Sequence, residues 1–342
     1  MAKMTSKTVT MTDIADACGL SHATVSFVLR GRLDKPVSPA TRERVFAEAV
    51  RMGYQPQRHH RIDASKLKVL FICPEYQIAY GEASFPARVM ADLARQQPET
   101  QIEFVMTSME RASMMETLYR GVCERQADAV VVTRVIEREI IAMQNHCPVP
   151  IIHLGSSKVD GICSINIDDF AIGKFAATHL WEHGHRTALI LGTDSDLSRH
   201  REKGFTDFWH SRGVSVPPTE IWHDDIYPPS GIAHAKRFLT LEQKPSAIFS
   251  ITDTISYGFM QEISRQGHRI PDMVSLVSCD NMPYSAWSVP ALDTLHLCEK
   301  TFADRIIHIV NRRCRKHDDR TTHEDIVPEL VVRESVRRLP VW

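Results

Sequence analysis

Three charged residues each follow a run of apolar, often β-branched residues: Arg201 after TALILG (187–192), Asp253 after SAIFSI (246–251) and Asp280 after VSLVSC (274–279). A guanidinium offers a planar fork of donors and a carboxylate accepts from neighbouring hydroxyls, so one Arg with two Asp suits a small, hydroxyl-rich ligand. In an open α/β sheet, residues at the carboxyl ends of parallel strands converge on one crevice, and these three are placed to meet there. The alternatives are an Arg–Asp pair that only ties loops together, and a helix-capping role for Asp253. Tyr76 and Phe85 in PEYQIAYGEASFPAR (74–88) are candidates to stack on a ring, weighed against simple packing. His179 and His183 have the one-turn spacing of metal ligands, but Gly184 takes His185 off the helical face and no nearby Cys or carboxylate completes a set, so no metal is expected. There is no P-loop, no G-x-G-x-x-G after a strand and no G-x-S-x-G, so neither a catalytic residue nor a cofactor is expected.

The elements that must position these residues read as strands and helices in alternation. Strands are expected at 68–73, 101–106, 128–133, 149–154, 187–192, 246–251 and 274–279, with helices at 86–97, 110–125, 169–183, 200–212, 230–242 and 254–266. Continuous apolar strands joined by helices call for parallel sheets covered on both faces. Some 270 residues of this pattern exceed one ordinary sheet, so either one oversized sheet or two lobes result.

The first 56 residues differ in kind. Residues 10–31 read as two short helices around Gly19, with Thr12 and Ser21 as caps. Val25, Val28 and Leu29 face a small core. His22, Ala23, Ser26, Phe27 and Arg30 share the opposite face, as on a helix that enters a major groove, where an ordinary helical hairpin would have only a solvated face. A third helix follows, with Ser38 as cap and Pro39 at its first position, and ends at Gly53 and Pro56.

Charge separates along the chain in the same way. The net charge is −1, from 41 Lys and Arg against 42 Asp and Glu. Residues 1–66 carry 11 basic against 6 acidic residues, a balance of +5, which leaves −6 for the rest. A basic head on an acidic body fits contact with nucleic acid at one end only. The eight cysteines are scattered without a C-x-x-C pair, and no segment is long and apolar enough to span a bilayer, so reduced thiols, a cytoplasmic location and no membrane partner are expected.

TMTDIADACGLSHATVS (10–26), VSPATRERV (37–45) and GYQP (53–56) resemble the LacI/GalR family of bacterial transcription regulators. The likeness continues in order with D-x-x-x-I-G from Asp168, GHR at 184–186, R-x-x-G-F from Arg201, VSLVSCDN at 274–281 and PELVVRES at 328–335, thinning between about 57 and 125. It implies an N-terminal all-α helix-turn-helix domain over 1–56, a hinge over 57–67, and over 68–342 an α/β two-lobed domain with parallel sheets, like periplasmic binding proteins. The implied N-lobe covers about 68–166 and 297–324, and the C-lobe about 167–293 and 326–338. The DNA contacts would come from Thr10, Ser21, His22, Ala23, Thr24, Ser26, Phe27, Arg30, Tyr54, Arg58 and Arg61. The effector contacts would come from Arg201, Asp253, Asp280, Phe85 and Tyr76. The expected function is a ligand-responsive regulator, a repressor, acting as a homodimer on a pseudo-palindromic double-stranded operator, with a sugar or sugar derivative as effector. No leucine-heptad tail follows the last motif, which favours a dimer over a tetramer. A solute-binding protein is disfavoured by the basic head and the absence of a signal peptide, and a sugar-acting enzyme by the absence of a nucleophile.

The chain departs from the family pattern in four places, one of them the first-strand loop, where PEYQIAYGEASFPAR (74–88) replaces a usual short N-P-F-F segment. Thr252 replaces the usual Asn before Asp253, and Gly155 stands where a charged residue often meets sugar. In the hinge, QRHHRID (57–63) puts Asp63 where a leucine would wedge into the minor groove, with Ile62 one place displaced, so the hinge is expected to hold DNA by charge and to bend it little.

Overall fold

The apolar runs of the body form two six-stranded sheets, and strands such as Ala129–Thr133 and Ala188–Gly192 are buried along their whole length, as strands covered on both faces must be. The computed structural model describes residues 9–32, 34–54, 67–74, 84–98, 101–107, 111–133, 137–155, 158–216, 220–316 and 318–340. Arg58, Arg61, Tyr76 and the hinge residues Ile62 and Asp63 lie outside the described residues.

The head is α1 (Met11–Cys18), α2 (His22–Leu29) and α3 (Pro39–Met52). Thr10, not Thr12, caps α1: its side chain accepts from the Asp13 amide, and Asp13 returns a bond to the Thr10 amide at 2.8 Å. This reciprocal box satisfies two amides at once, which a cap two residues later would leave open. Ser21 and Ser38 cap the other two helices as expected.

By contacts the chain divides into two compact units, Met1–Asn166 with Glu299–Glu324, and Ile167–Cys298 with Asp325–Trp342. In the first, β1 (Lys68–Pro74), β2 (Gln101–Thr107), β3 (Ala129–Thr133), β4 (Ile151–Leu154), β5 (Cys163–Ile167) and β11 (His323–Ile326) take the order β11-β5-β4-β3-β1-β2. The helices of this unit's body are α4 (Phe85–Gln96), α5 (Arg111–Cys123), α6 (Glu137–His146) and α11 (Glu299–Arg315), the last packed on α4.

In the second unit, β6 (Ala188–Gly192), β7 (Ile221–His223), β8 (Ala247–Ser250), β9 (Ser275–Asp280), β10 (Asp293–His296) and β12 (Glu329–Val331) take the order β12-β10-β9-β8-β6-β7. The ladders β6–β7, β6–β8, β8–β9 and β9–β10 are parallel, and β12 closes the edge antiparallel to β10. Its helices are α7 (Asp169–Glu182), α8 (Asp196–His210), α9 (Pro228–Leu239) and α10 (Asp253–Arg265).

Helices α7 and α8 cross unusually closely. A Cβ on Gly173 would lie 1.8 Å from the Arg201 carbonyl oxygen, and one on Gly204 would lie 2.0 Å from that of Phe170. Behind this crossing Phe205 stacks on Phe249 at 5.4 Å, and the buried Trp209 indole donates to the Ala177 carbonyl at 3.0 Å. Aromatic burial of this kind stabilises by about 2–3 kcal/mol per side chain. None of the eight cysteines is in a disulfide, and among the described residues no helix is long and apolar enough to cross a membrane.

The histidines at the end of α7 and just after it hold the C-terminal segment. His179 Nε2 is 2.9 Å from Asp293 Oδ2, and Asp293 Oδ1 accepts from the Ser335 amide at 2.9 Å. His185 lies between Ser246 Oγ at 3.0 Å and the Arg337 carbonyl at 3.1 Å, with no exposed surface. Burial, reinforced by His183, Arg337 and His179, pushes the His185 pKa down to about 4 from 6.5 although the Arg337 carbonyl works the other way. The folded state thus binds its proton later than the unfolded chain. The associated stability is full above about pH 6.5 and is lost as pH falls toward about 4, amounting to about 3 kcal/mol. Urea unfolding of wild type and His185→Gln at about pH 7 and pH 4 checks this: the wild type loses about 3 kcal/mol more than the variant, and an equal acid loss in both would remove His185 as the cause.

Candidate functional site

On the head, α2 presents its reading face to solvent. His22, Ala23 and Arg30 are exposed, Thr24, Ser26 and Phe27 are half-buried, and Val25, Val28 and Leu29 are inside. Lys35 Nζ stands 5.7 Å from the centroid of the Phe27 ring, so a cation accompanies the one aromatic on this face. Thr10 and Ser21 are exposed and already bonded to their own helices. Tyr54 departs from its expected DNA-contacting role. It is 5% exposed, its carbonyl accepts from the Tyr119 hydroxyl of α5, and burial pushes its phenol up to about 12.

In the second unit, parallel pairing of β6, β8 and β9 brings their carboxyl ends side by side. Arg201 on α8 reaches this edge from behind. Its Nε donates to Asp169 Oδ1 at 2.8 Å and its Nη1 to the Ile251 carbonyl at 2.6 Å, leaving Nη2 without a bond among the described residues. The side chain is 3% exposed. Burial opposes its charge, but Cys279, Asp169 and Asp280 outweigh that and hold the guanidinium above its ordinary value.

Asp280 ends β9 with φ 115°, and Asn281 follows at φ 47°, two consecutive left-handed residues without a glycine. Such backbone costs of order 1–3 kcal/mol per residue and persists only where neighbours over-determine it. Here they do. Asp280 accepts from the Thr252 hydroxyl, the Asn281 amide donates to Thr294 Oγ1 at 3.2 Å, and Arg333 donates to Asn281 Oδ1 at 2.7 Å. The turn holds the Asp280 carboxylate, half-buried, at the strand edge.

Asp253 proves to be scaffold rather than surface. It has no exposed area, Oδ2 accepts from the Met282 amide at 2.8 Å and from the Ser285 hydroxyl, and Oδ1 accepts from Thr294 Oγ1 at 2.7 Å. Burial, with the nearby charge of Asp280, pushes its pKa up to about 6 against the pull of those three donors. Phe85 also turns inward, meeting Phe302 of α11 edge-on at 4.9 Å. It belongs to the first unit and Arg201 to the second.

Several residues at this edge carry no motif that singles them out in the sequence. Asp169 fixes the Arg201 fork. Glu202, 8% exposed, accepts from Ser198 and lies 2.9 Å from His223 Nε2 at the end of β7. The Thr254 hydroxyl donates to the Ile226 carbonyl, so the loop after β7 is tied to the start of α10 with Ile226 and Tyr227 exposed. The usable signal is chemical: an acid four residues before GKFAATHL and a charged pair at 201–202, each at an element's start or interior.

Asp253→Ala should remove the acceptor shared by Met282, Ser285 and Thr294 and leave buried donors unmet, at a cost of about 3 kcal/mol. Urea unfolding of the variant measures it. A loss under about 1 kcal/mol would mean that the turn holds itself.

Comparison with known proteins gives the frame for this geometry. A model described as bacterial regulatory proteins, lacI family, matches residues 10–57, and one described as periplasmic binding protein-like domain matches residues 177–336. The chain is 25% identical over 342 residues to the HTH-type transcriptional repressor PurR of Actinobacillus pleuropneumoniae serotype 5b (strain L20), covering 96% of this chain and 99% of that relative. Among solved structures it resembles a transcriptional regulator CelR–cellobiose complex (TM-score 0.68, 21% identity, 96% of this chain and 100% of the other). It also resembles the lac repressor dimer bound to operator and the anti-inducer ONPF (TM-score 0.67, 21% identity, 96% and 99%), and both likenesses speak to the fold alone. With its helix-turn-helix head and its two-lobed α/β body, the chain belongs to the LacI family of bacterial regulators.

Proposed function

We propose that this chain is a ligand-controlled repressor, two copies of which read a pseudo-palindromic operator with α2 and answer to a small polar effector bound by Arg201 and Asp280. One observation carries the effector reading: a buried guanidinium with one Nη left over stands at the same strand edge as a carboxylate held there by strained backbone. A fixed donor beside a fixed acceptor orients a ligand that presents both. A sugar or sugar derivative meets that description. A purine is the second reading, favoured by the relatives named PurR and by the exposed Ile226 and Tyr227 beside the polar groups. For dimerisation, the segment just past the Asp280 turn exposes Tyr284 (55%), Trp287 (84%) and Val289 (92%), apolar surface that a second copy would cover.

A thermal-shift panel of sugars, sugar acids and purines on the full chain identifies the class, because a ligand that binds only the folded state raises the melting temperature. With that ligand, Asp280→Asn keeps size and an acceptor for Thr252 but loses the charge, and calorimetry should show affinity down by about 2 kcal/mol with operator binding intact. Unchanged affinity would take Asp280 out of the site.

Phe27→Ala should cost about 1–3 kcal/mol on an operator selected in vitro and little on random duplex, through loss of apolar contact with a thymine methyl. Gel shifts on both duplexes decide it, and equal losses on the two would make Phe27 a packing residue.

A further inference from the structure

The core of the head does not close on itself. Val25, Leu29, Val45 and Phe46 belong to the same buried cluster as Leu70, Tyr119 and Val122 of the first unit's body. At its rim Arg42 donates to Glu124 Oε1 at 3.2 Å and to the Arg32 carbonyl at 2.9 Å. The two charged side chains are only 11% and 13% exposed, where an ion pair is screened far less than on an open surface. Tyr119 donates to the carbonyl of Tyr54, the last described residue of the head. Arg120 lies 5.6 Å over the Phe46 ring and 3.6 Å from Glu43.

The closest approach is at Gly31, directly after the reading helix. It has φ 65°, and a Cβ there would fall 1.8 Å from the Cys123 carbonyl oxygen, so the exit of α2 rests on the backbone at the end of α5. The seat leaves His22, Ala23 and Arg30 exposed. The connecting sequence QRHHRID contains Ile62 as its one apolar residue.

We propose that Glu124 and Tyr119 are positioning residues for operator recognition: by seating the head on α5 they make the direction of the reading helix follow the body, so that half-site spacing is set there. This rests on the operator-binding reading above. Neither residue reads a base. Their effect falls on the separation of two bound heads, since half-site spacing mirrors the geometry of the dimer.

The test uses the full chain and an operator selected in vitro, re-made with the spacer shortened or lengthened by one and two base pairs, together with a duplex carrying a single half-site. Wild type should favour one spacer. Glu124→Lys, and more mildly Tyr119→Phe, should flatten that preference by about tenfold, while single-half-site affinity stays within about twofold and Glu124→Asp restores the profile. Tyr119→Phe keeps the ring and its volume, which makes it informative even if the charge reversal destabilises the unit. A spacing profile unchanged in both variants overturns the proposal. A loss on the single half-site equal to that on the full operator also overturns it, because the seat would then serve only to fold the head. If wild type selects no duplex at all, the operator-binding reading itself fails, a result distinct from either.

Discussion

The carboxylate of Asp253 takes three donors from three segments, the Met282 amide, the Ser285 hydroxyl and the Thr294 hydroxyl, and has no contact with water. Removing a carboxylate from solvent costs several kcal/mol, and hydrogen bonds to a charged group, at about 1.5–3 kcal/mol each, are strong enough to offset it. The geometric consequence matters more than the balance. With the chain after β9 pulled back onto the start of α10 and across to β10, Asp280 and Asn281 have to turn through left-handed backbone, and Asp280 faces outward at the strand edge. Burial first, and then repulsion from the nearby Asp280 carboxylate, push the pKa of Asp253 up to about 6.

Arg201 relieves that repulsion, and the packing of α7 against α8 places it. A guanidinium on α8 reaches Asp169, at the first turn of α7, only if the two helix backbones nearly touch, and Gly173 and Gly204 allow this. With two of its nitrogens committed to the scaffold, Arg201 loses little further freedom on meeting a ligand, the general advantage of a preorganised site. The Thr252 hydroxyl, bonded to Asp280, brings the residue before Asp253 into the same network, so the unusual Thr at that position has a physical role.

Much of this was legible in the sequence, and the failures have identifiable causes. The expected strands appear within two residues at each end, because continuous runs such as AVVVT and ALILG have no other stable home than a two-sided sheet. Of the strands that periodicity missed, Ile221–His223, Asp293–His296, His323–Ile326 and Glu329–Val331 have three or four residues and Cys163–Ile167 has five with Ser and Asn among its residues, too few or too polar for a clear apolar run. α11 escaped because its sequence carries charge on most turns, and its apolar stripe of Phe302, Ile306, Ile309 and Val310 emerges only against α4. At the site, spacing placed Arg201 and Asp280 at the strand edge. It could not tell that Asp253, at the same kind of strand end, faces inward, since that depends on donors 29 to 41 residues away. Nor could it foresee that Tyr54 packs on α5, because each partner alone reads as an ordinary aromatic.

The chain passes between its two units after Asn166, Cys298 and Glu324, and the three passages are not equivalent. On one side of the first and third, the Ser164 amide donates to the Thr322 carbonyl at 2.9 Å; on the other, the Asp168 amide donates to the Ile326 carbonyl at 2.9 Å. The two passing segments are thus hydrogen-bonded to each other within each unit, and neither can shift there without breaking a ladder bond that its unit needs. At the second passage Cys298 stands in left-handed backbone at φ 57°, and its thiol donates to the Val327 carbonyl at 3.7 Å. Glu299 then opens α11 with its carboxylate 2.7 Å from Arg88 of α4, which anchors this passage in the unit that also carries the head.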